Sequence, residues 1–358
     1  MPASRRRFLT HMGAWFAAPI AQRRPSTPSR PGSLMIDRAT WLEHFDGHVI
    51  DGCAAGGGRR AFFLLRPETS DADDAPVRLV FADADRALDA KRFVRGAITF
   101  APAGVVFEPA GLFFTVGLGG EVFSYDGQRG NNEPALPMAI AGSDLRGVVH
   151  GLGRVGATVY AAGWPHRVWR RRAVGQWDVL SAGLPADRLR DDDIVNALRE
   201  KRLRAVAGFG DADLYADGDG GEIWHWDGAR WRRRATPASV AFVAACAADD
   251  RLYLADETGA IWAGRGERWT RVTSAPPYPI VDLAWYRGQL WCGMEHGALE
   301  RLDGNRLVSA GTPPEVSPGV RHIDVAPDGS FLMAAGRWGV ARHDDSGWQV
   351  LLGGTAPR

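Results

Sequence analysis

The stretch GGEIWHWDGARW, residues 220–231, combines a glycine pair, an alternating aromatic run, an Asp-Gly step and a further tryptophan. Related phrases occur at five other places in the chain. They are GGEVFSYDGQR from Gly119, PHRVWRRRAVGQW from Pro165, TGAIWAGRGERW from Thr258, HGALERLDGNRL from His296 and WGVARHDDSGWQV from Trp338. A phrase that recurs in this way predicts a fold made of repeated units.

Each phrase follows a short apolar segment, such as LYADG at 214–218 or LYLAD at 252–256, and a further apolar segment lies upstream of that one. A unit therefore holds four strands in an antiparallel meander. We expect its last loop to be a two-residue hairpin turn, because Gly accepts a positive φ freely and Asp tolerates it. The steps in question are Asp126-Gly127, Asp227-Gly228 and Asp303-Gly304.

The spacing of the units identifies the architecture. The equivalent positions Gly120, His166, Gly221, Gly259, Gly297 and Gly339 are 46, 55, 38, 38 and 42 residues apart. Four-stranded units with a period of about 40 to 50 residues are typical of β-propeller blades. A less regular opening unit, with strands near residues 48, 59, 77 and 91, brings the count to seven. The prediction is an all-β, seven-bladed propeller of four-stranded antiparallel blades, and the spacing also fits six or eight blades.

Tryptophan is abundant where the repeat is clearest. Of the 14 tryptophans, 12 lie between Trp164 and Trp348. Wide aromatic side chains can fill the space between neighbouring sheets. We therefore expect the tryptophans on strands, such as Trp169, Trp224 and Trp262, to pack between blades.

The first 34 residues differ in composition from the rest, with six arginines and no acidic residue. The stretch SRRRFL, residues 4–9, matches a twin-arginine export signal. Two interpretations stay open. The segment is a signal that takes the protein to the periplasm or beyond, or the true start is Met35 in a cytoplasmic protein and the preceding segment is disordered or never made. Residues 35–358 are predicted to form one propeller domain. A short helix is expected near 191–202, where DDDIVNALREKR places acids first and bases last.

Composition excludes several partners. With 43 basic and 42 acidic side chains, no strong field favours nucleic acid. No apolar run reaches the roughly 20 residues of a transmembrane segment. The cysteines Cys53, Cys246 and Cys292 lack the spacing of a metal site. We therefore predict no metal, no cofactor and no nucleic-acid partner. The arginine runs 170–172 and 232–234 fall on outer strands, where charge protects a sheet edge from unwanted pairing.

The loops between the second and third strands of the blades should share one face with the connectors between blades. They carry the acidic residues Asp217, Asp219, Asp256, Glu257 and Glu295. Trp164 and Trp338 also fall in these loops, and exposed aromatic residues are typical interface anchors. We interpret the acids as an arc that binds the basic surface of a protein partner. The alternative is that they are polar turns that keep this face soluble.

The sequence contains no GxSxG, HExxH or phosphate-binding glycine motif. We therefore predict a protein without enzymatic activity, although a ring can assemble a catalytic site from distant blades.

The segments LYADGDGGEIWHWDGARW (214–231) and VYAAGWPHRVWRRRAVGQW (159–177) resemble bacterial WD-repeat-like and BNR-like propeller proteins. The resemblance is stronger to a group found near type VI secretion and polymorphic-toxin loci. It implies a protein-binding propeller, in particular an immunity or accessory protein that neutralises a secreted toxin. Two alternatives remain: a lectin-like propeller whose blades each lend one Trp and one acid to a sugar pocket, and an exported hydrolase with a deep, charged central pocket.

Overall fold

The computed structural model describes residues 38–57, 60–68, 77–83, 93–140, 144–188, 201–273, 276, 278–316 and 319–353. The twin-arginine-like segment and most of the expected helix, residues 191–200, lie outside the described residues. The described chain forms one short helix, α1 (Arg38–His44), and seven four-stranded antiparallel sheets. The seven-bladed prediction is confirmed.

In every blade the four strands follow one another in space as they do in the chain. Blades 1 to 4 contain β1 (His48–Gly56), β2 (Arg60–Pro67), β3 (Val77–Asp83), β4 (Phe93–Ile98), β5 (Pro102–Glu108), β6 (Leu112–Gly117), β7 (Val122–Tyr125), β8 (Gly130–Glu133), β9 (Val148–Val155), β10 (Thr158–Trp164), β11 (Arg167–Ala173), β12 (Gln176–Val179), β13 (Leu203–Gly210), β14 (Asp213–Gly218), β15 (Ile223–Trp226) and β16 (Trp231–Arg233). Blades 5 to 7 contain β17 (Phe242–Ala248), β18 (Arg251–Asp256), β19 (Ile261–Arg265), β20 (Arg268–Thr273), β21 (Ile280–Tyr286), β22 (Gln289–Met294), β23 (Glu300–Asp303), β24 (Arg306–Ser309), β25 (Val320–Val325), β26 (Leu332–Gly336), β27 (Val340–Asp344) and β28 (Gly347–Leu352). Short 3-10 helices cover Pro185–Arg188, Asp219–Gly221 and Pro314–Val316.

The ring closes by packing of blade 7 against blade 1. Each of these two sheets is made from one continuous stretch of chain, so no strand is shared across the closure. Strand β1 contacts both β5 and β25, its neighbours around the channel. The backbone N–H of Ala55 donates to Oδ2 of Asp324 at 2.8 Å, and the N–H of Ile50 donates to the carbonyl of Arg337 at 2.9 Å.

The core lies between neighbouring blades. Between blades 4 and 5, for example, Tyr215 and Ile223 pack against Phe242 and Leu254. The expected tryptophan packing is confirmed for Trp169 and Trp224, which are buried, whereas Trp262 is half-buried against the blade 4–5 cluster. Burial of these apolar surfaces on both faces of each sheet holds neighbouring blades together.

The inner strands of blades 3 and 4 approach closely. A Cβ atom added at Gly151 would lie 2.0 Å from the carbonyl oxygen of Arg204, and one at Gly153 would lie 2.3 Å from that of Val206. Both distances are far inside van der Waals contact. Only glycine therefore fits at these two positions of β9.

The Asp-Gly turns differ from the prediction. Tyr125 pairs with Gly130 and Trp226 pairs with Trp231, so both loops have four residues rather than two. The Asp227 carboxylate accepts hydrogen bonds from the backbone of Ala229 and Arg230, and Asp126 does the same in its own loop. In blade 6, Asp303 pairs with Arg306, so the two-residue loop is Gly304-Asn305. Aspartate closes the first two loops with its side chain, a role that does not require a positive φ.

The arginine run 170–172 also differs from its expected role. The Arg171 side chain is fully buried and lies 2.8 Å from the buried carboxylate of Glu133. Its guanidinium group also contacts Glu108 at 3.2 Å and lies 4.5 Å from the centre of the Phe114 ring. Arg171 therefore joins blade 3 to blade 2 instead of protecting an outer edge.

Candidate protein-binding rim

The loop between the second and third strands of each blade is called here a middle loop. Because successive strands are antiparallel, the middle loops lie on the same face as the connectors that lead from one blade to the next. This face is called the rim. All seven residues that the sequence indicated belong to middle loops or to the strand ends beside them, but they differ in burial and in partners.

Asp217 is not available at the rim surface. It pairs with Ile223 inside the sheet of blade 4 and is fully buried. Neither oxygen of its carboxylate has a hydrogen-bond partner among the described residues. Burial raises the pKa of Asp217 to about 7, against a smaller opposing effect of Arg204. The sequence assigned Asp217 to a loop, whereas the sheet register places it at an interface between blades.

Asp256 is also buried, and it organises the middle loop of blade 5. Its Oδ1 accepts hydrogen bonds from the backbone N–H groups of Thr258 and Ala260 at 2.9 and 3.0 Å. Its Oδ2 accepts the indole N–H of Trp262 at 2.9 Å. The carboxylate that was expected to face a partner is used to shape the loop.

Asp219 lies on the surface, but two arginines neutralise it. Oδ2 of Asp219 is 3.0 Å from Nε of Arg202, and Oδ1 is 2.9 Å from Nη2 of Arg204. Burial alone would raise the pKa of Asp219, but hydrogen bonds from Arg204 and Arg202 lower it below its usual value. The middle loop of blade 4 therefore presents a paired cluster rather than free negative charge.

A second charged cluster joins blades 3 and 4, and the sequence did not indicate it. The imidazole of His166 lies 2.7 Å from Oε2 of Glu222, and Nζ of Lys201 lies 3.4 Å from Oε1. The indole N–H of Trp224 also donates to this carboxylate at 3.3 Å. Burial opposes ionisation of Glu222, but the hydrogen bond from His166 and the nearby charges lower its pKa to about 2. Glu222 is therefore ionised throughout the physiological range.

Glu257 and Glu295 keep the position that the sequence predicts. Glu257 is exposed and Glu295 is partly exposed, and neither forms an ion pair with another described residue. The backbone N–H of Glu257 donates to Ala241 at 2.9 Å, and that of Glu295 donates to Pro279 at 3.0 Å. Both side chains are thus free to meet a partner from loops that are held in place.

Trp164 and Trp338 are half-buried. Trp164 ends β10, directly before a cis peptide bond to Pro165. Trp338 packs against the cluster that closes blade 7 onto blade 1, with the guanidinium carbon of Arg337 4.8 Å from its ring centre. Part of the surface of Trp338 is therefore used for ring closure.

A hydrolase would need charged residues of the inner strands in the central channel, and two carboxylates there, those of Asp282 and Asp324, are engaged in backbone hydrogen bonds. Asp282 accepts the N–H groups of Leu283 and Ile323 at 2.9 Å each. Asp324 accepts those of Ala55 and Val325 at 2.8 Å each. Burial raises the pKa of both carboxyls, that of Asp282 to about 7. Both side chains act as clamps between backbone groups of neighbouring inner strands.

Arg154 crosses this channel. From the inner strand of blade 3 it donates to the carbonyl of Phe107 in blade 2 at 3.2 Å and to that of Val325 in blade 7 at 2.8 Å. Blades 3 and 7 are as far apart as a seven-membered ring allows. The guanidinium group therefore spans the channel at the end opposite the rim.

An open cavity of about 560 Å³ lies between blades 4 and 5 on the face opposite the rim. Its lining includes Asp213, Tyr215, His225, Arg234 and Arg265. Nε2 of His225 lies 2.8 Å from Oδ1 of Asp213, and Nη2 of Arg234 lies 2.8 Å from Nδ1 of the same ring. Since Arg234 can only donate, Nδ1 accepts and Nε2 carries the proton.

Within the described part of the chain, no group of three or more His, Cys, Asp or Glu side chains is arranged to hold a metal ion. The same residues include no helix with the length and apolar character needed to cross a membrane.

These features define a seven-bladed β-propeller with hydrogen-bonded middle loops on one face. No family model matches the chain. The curated protein "Immune protein Tsi7" of Pseudomonas aeruginosa PAO1 is 31% identical over 137 residues, which is 38% of this chain and 42% of that protein. The match thus spans less than half of either protein.

Solved structures that resemble the chain are propellers of low sequence identity. The WD40 β-propeller domain of Doa1 has a TM-score of 0.53 at 10% identity and covers 81% of this chain and 90% of its own. A chain of the mitotic checkpoint complex has a TM-score of 0.54 at 13% identity and covers 93% of this chain and 96% of its own. YCF48 bound to D1 peptide has a TM-score of 0.56 at 13% identity, with 82% and 91% covered. This likeness concerns the fold alone.

Proposed function

We propose that this chain is a protein-binding propeller that neutralises a toxin by forming a stable complex with it through the rim. The observation that carries the proposal is the 31% identity to an immune protein over 137 residues. Free carboxylates at Glu257 and Glu295, on loops fixed by backbone hydrogen bonds, support a binding role for the rim. Loops that are already ordered lose little entropy when a partner binds.

The proposal is tested with toxins encoded directly beside the gene for this chain, above all in type VI secretion or polymorphic-toxin loci, where the resemblance places such proteins. Each candidate is expressed in a bacterial host with and without this chain. We expect growth to be restored and the two purified proteins to elute together from a sizing column. Failure of every adjacent candidate to bind or to be neutralised would contradict the proposal.

Stoichiometry separates a binder from a hydrolase. A protein that neutralises by binding must be present in at least equal molar amount, whereas an enzyme acts at a small fraction of its substrate. A titration of toxin activity against this chain should therefore end at a fixed molar ratio. The negative control is the variant Gly163→Leu, which should not neutralise the toxin at any molar ratio. A Cβ atom at Gly163 would lie 1.9 Å from the carbonyl oxygen of Val148, so blade 3 could not form in this variant.

Carbohydrate binding is a second candidate, and the open cavity between blades 4 and 5 favours it. Asp213 and Arg265, which pair with each other, place carboxylate acceptors and guanidinium donors side by side in its lining, an arrangement that suits the paired hydroxyls of a sugar ring. Saturation-transfer NMR with methyl glucoside and N-acetylglucosamine tests it. Signals that Arg265→Gln abolishes and Arg287→Gln preserves would support this function, and no signal with any sugar would refute it.

A further inference from the structure

The part of the rim that belongs to blades 5 and 6 has an unusual charge. Among the described residues of its middle loops and following connectors, 256–260, 276, 278–279, 295–299, 310–316 and 319, none is a lysine or an arginine. They contain the exposed or partly exposed acids Glu257, Glu295 and Glu315. None of these three forms an ion pair with a described residue. At blade 4, by contrast, the rim bases Lys201, Arg202 and Arg204 are all paired with acids.

An exposed aromatic ring lies within this acidic sector. Tyr278, in the connector from blade 5 to blade 6, is 46% exposed. Among the described residues it is the one aromatic side chain in the group of exposed large apolar residues, which otherwise comprises Leu42, Leu118 and Val174. Its ring packs edge-on against His296 with 6.0 Å between ring centres. A Cβ atom at Gly297 would lie 3.3 Å from the Tyr278 ring, so the ring packs directly over the Gly297 backbone.

The loops around Tyr278 are tied to one another. The N–H of Glu295 donates to Pro279, the residue after Tyr278, and the N–H of Gly319 donates to Gly297 at 2.8 Å. The buried carboxylate of Asp256 fixes the loop that carries Glu257. Tyr278 and the neighbouring carboxylates are therefore presented on a preformed surface, which lowers the entropic cost of binding.

We propose that the partner docks an arginine-containing basic segment on this surface, called here the Tyr278 patch and comprising Glu257, Tyr278, Glu295, His296 and Glu315. A guanidinium group stacks on an aromatic face and also pairs with carboxylates, so an arginine-containing segment can engage both features of the patch. No rim lysine or arginine in this sector competes for the same carboxylates. The inference rests on the proposed function in one respect, namely that the partner is a protein.

The first test measures the chemistry of the patch with a defined probe. Labelled nona-arginine is titrated into the purified full chain, and binding is followed by fluorescence anisotropy at about 0.1 M salt. We expect Tyr278→Ala, and separately the triple variant E257Q/E295Q/E315Q, to weaken binding about tenfold or more. Nona-lysine should bind more weakly than nona-arginine, because an ammonium group stacks less well on the ring.

Matched controls remove the same groups from the opposite face. The triple variant D249N/D303N/D345N changes the net charge by the same amount, and Val174→Ala truncates another exposed apolar side chain. Both controls should bind nona-arginine as the parent does. Equal losses in the patch and control variants, or unchanged binding by the patch variants, would overturn the inference.

The second test uses the neutralised toxin and separates the two proposals. If the parent chain neutralises a toxin and the patch variants do so with unchanged affinity, the Tyr278 patch is refuted while the proposed function stands. If the parent neutralises no adjacent toxin, the proposed function fails, and the nona-arginine titration still decides the chemistry of the patch. If the patch variants lose affinity for the toxin and the control variants do not, both the proposed function and the Tyr278 patch are supported.

Discussion

At the scale of single residues, Asp217 is a carboxylate in a position that is apolar in other blades. The residues at the same sheet register are Val116, Ala162, Ala255 and Ala335. Such a position faces a neighbouring blade, where an ionised group without hydrogen bonds is costly. The side chain is therefore a local source of instability whose size depends on pH.

We predict that Asp217→Ala stabilises the protein, and that the gain grows with pH. The pKa of Asp217 is about 7 in the folded chain, above its ordinary value of 3.8, so the folded state holds the proton more tightly than the unfolded state. Stability is then highest below the ordinary pKa and falls as pH rises through 7. A pKa shift of this size lowers the unfolding free energy by at most about 4 kcal/mol at pH 8.

The measurement is the difference in unfolding free energy between Asp217→Ala and the parent from pH 5 to pH 8. Asp303→Ala, which also removes one carboxylate but at an exposed position, serves as the control for the loss of a negative charge and should not stabilise the protein at pH 8 as Asp217→Ala does. If Asp217→Ala stabilises the protein equally at pH 5 and at pH 8, the pKa of Asp217 is not raised in the folded state.

At the scale of elements, the middle loop of blade 5 depends on one carboxylate. We predict that Asp256→Ala lowers the unfolding free energy by about 3 kcal/mol, because a buried charged acceptor with several donors is lost. Its neighbour Glu257→Ala should change stability little, since the Glu257 side chain is exposed and unpaired. Urea unfolding of both variants checks this, and equal effects would show that Asp256 does not organise the loop.

The junction of blades 2 and 3 depends on a buried ion pair. Arg171→Met would leave Glu133 buried without its charge partner, and we predict a loss of about 3–5 kcal/mol. Arg172→Met, at an exposed pair with Asp178, should cost less than about 1 kcal/mol. Both variants can be compared with the parent by urea unfolding at neutral pH.

The effect of Arg171→Met should shrink in acid. Burial opposes ionisation of Glu133, but the hydrogen bond from Arg171 lowers its pKa below the ordinary 4.5. The contribution of the pair is therefore present above that ordinary value and disappears as pH falls below it. If the two proteins differ equally at pH 7 and in acid, ionised Glu133 is not what Arg171 stabilises.

At the scale of the whole molecule, Arg154 ties together blades that do not touch. We predict that Arg154→Met lowers the unfolding free energy by about 2 kcal/mol, because two backbone carbonyls lose their donor. Hydrogen exchange should accelerate in β5 and β25, the strands that accept these bonds, and remain unchanged in β17. Arg321→Met, at an exposed arginine, is the control and should alter neither quantity.

The ring as a whole was predictable because its determinants are local and repeated. Asp-Gly steps, alternating apolar strands and tryptophans at a regular period each favour a small antiparallel sheet, and such sheets must stack to bury both faces. The candidate rim was predictable only in part. The sequence indicated Glu257 and Glu295 because their loops align, whereas Tyr278 and Glu315 lie in proline-rich connectors that vary between blades. The shared absence of lysine and arginine in those loops was the available signal.

The sequence by itself determined the repeating unit and the face on which the middle loops lie, since these follow from periodicity and from the antiparallel order of strands. It favoured seven units over six or eight, and the structure has seven. Only the tertiary structure decided which charged side chains reach solvent. Asp217, Asp256 and Arg171 look like surface residues in the one-dimensional pattern, but all three are buried. Asp256 holds its own loop, Asp217 lies inside the sheet of blade 4, and Arg171 pairs with Glu133 across the junction of blades 3 and 2. A residue's partners across such a junction come from another unit of the chain, and burial and pairing with those partners decide whether a charge shapes the fold or is free to bind.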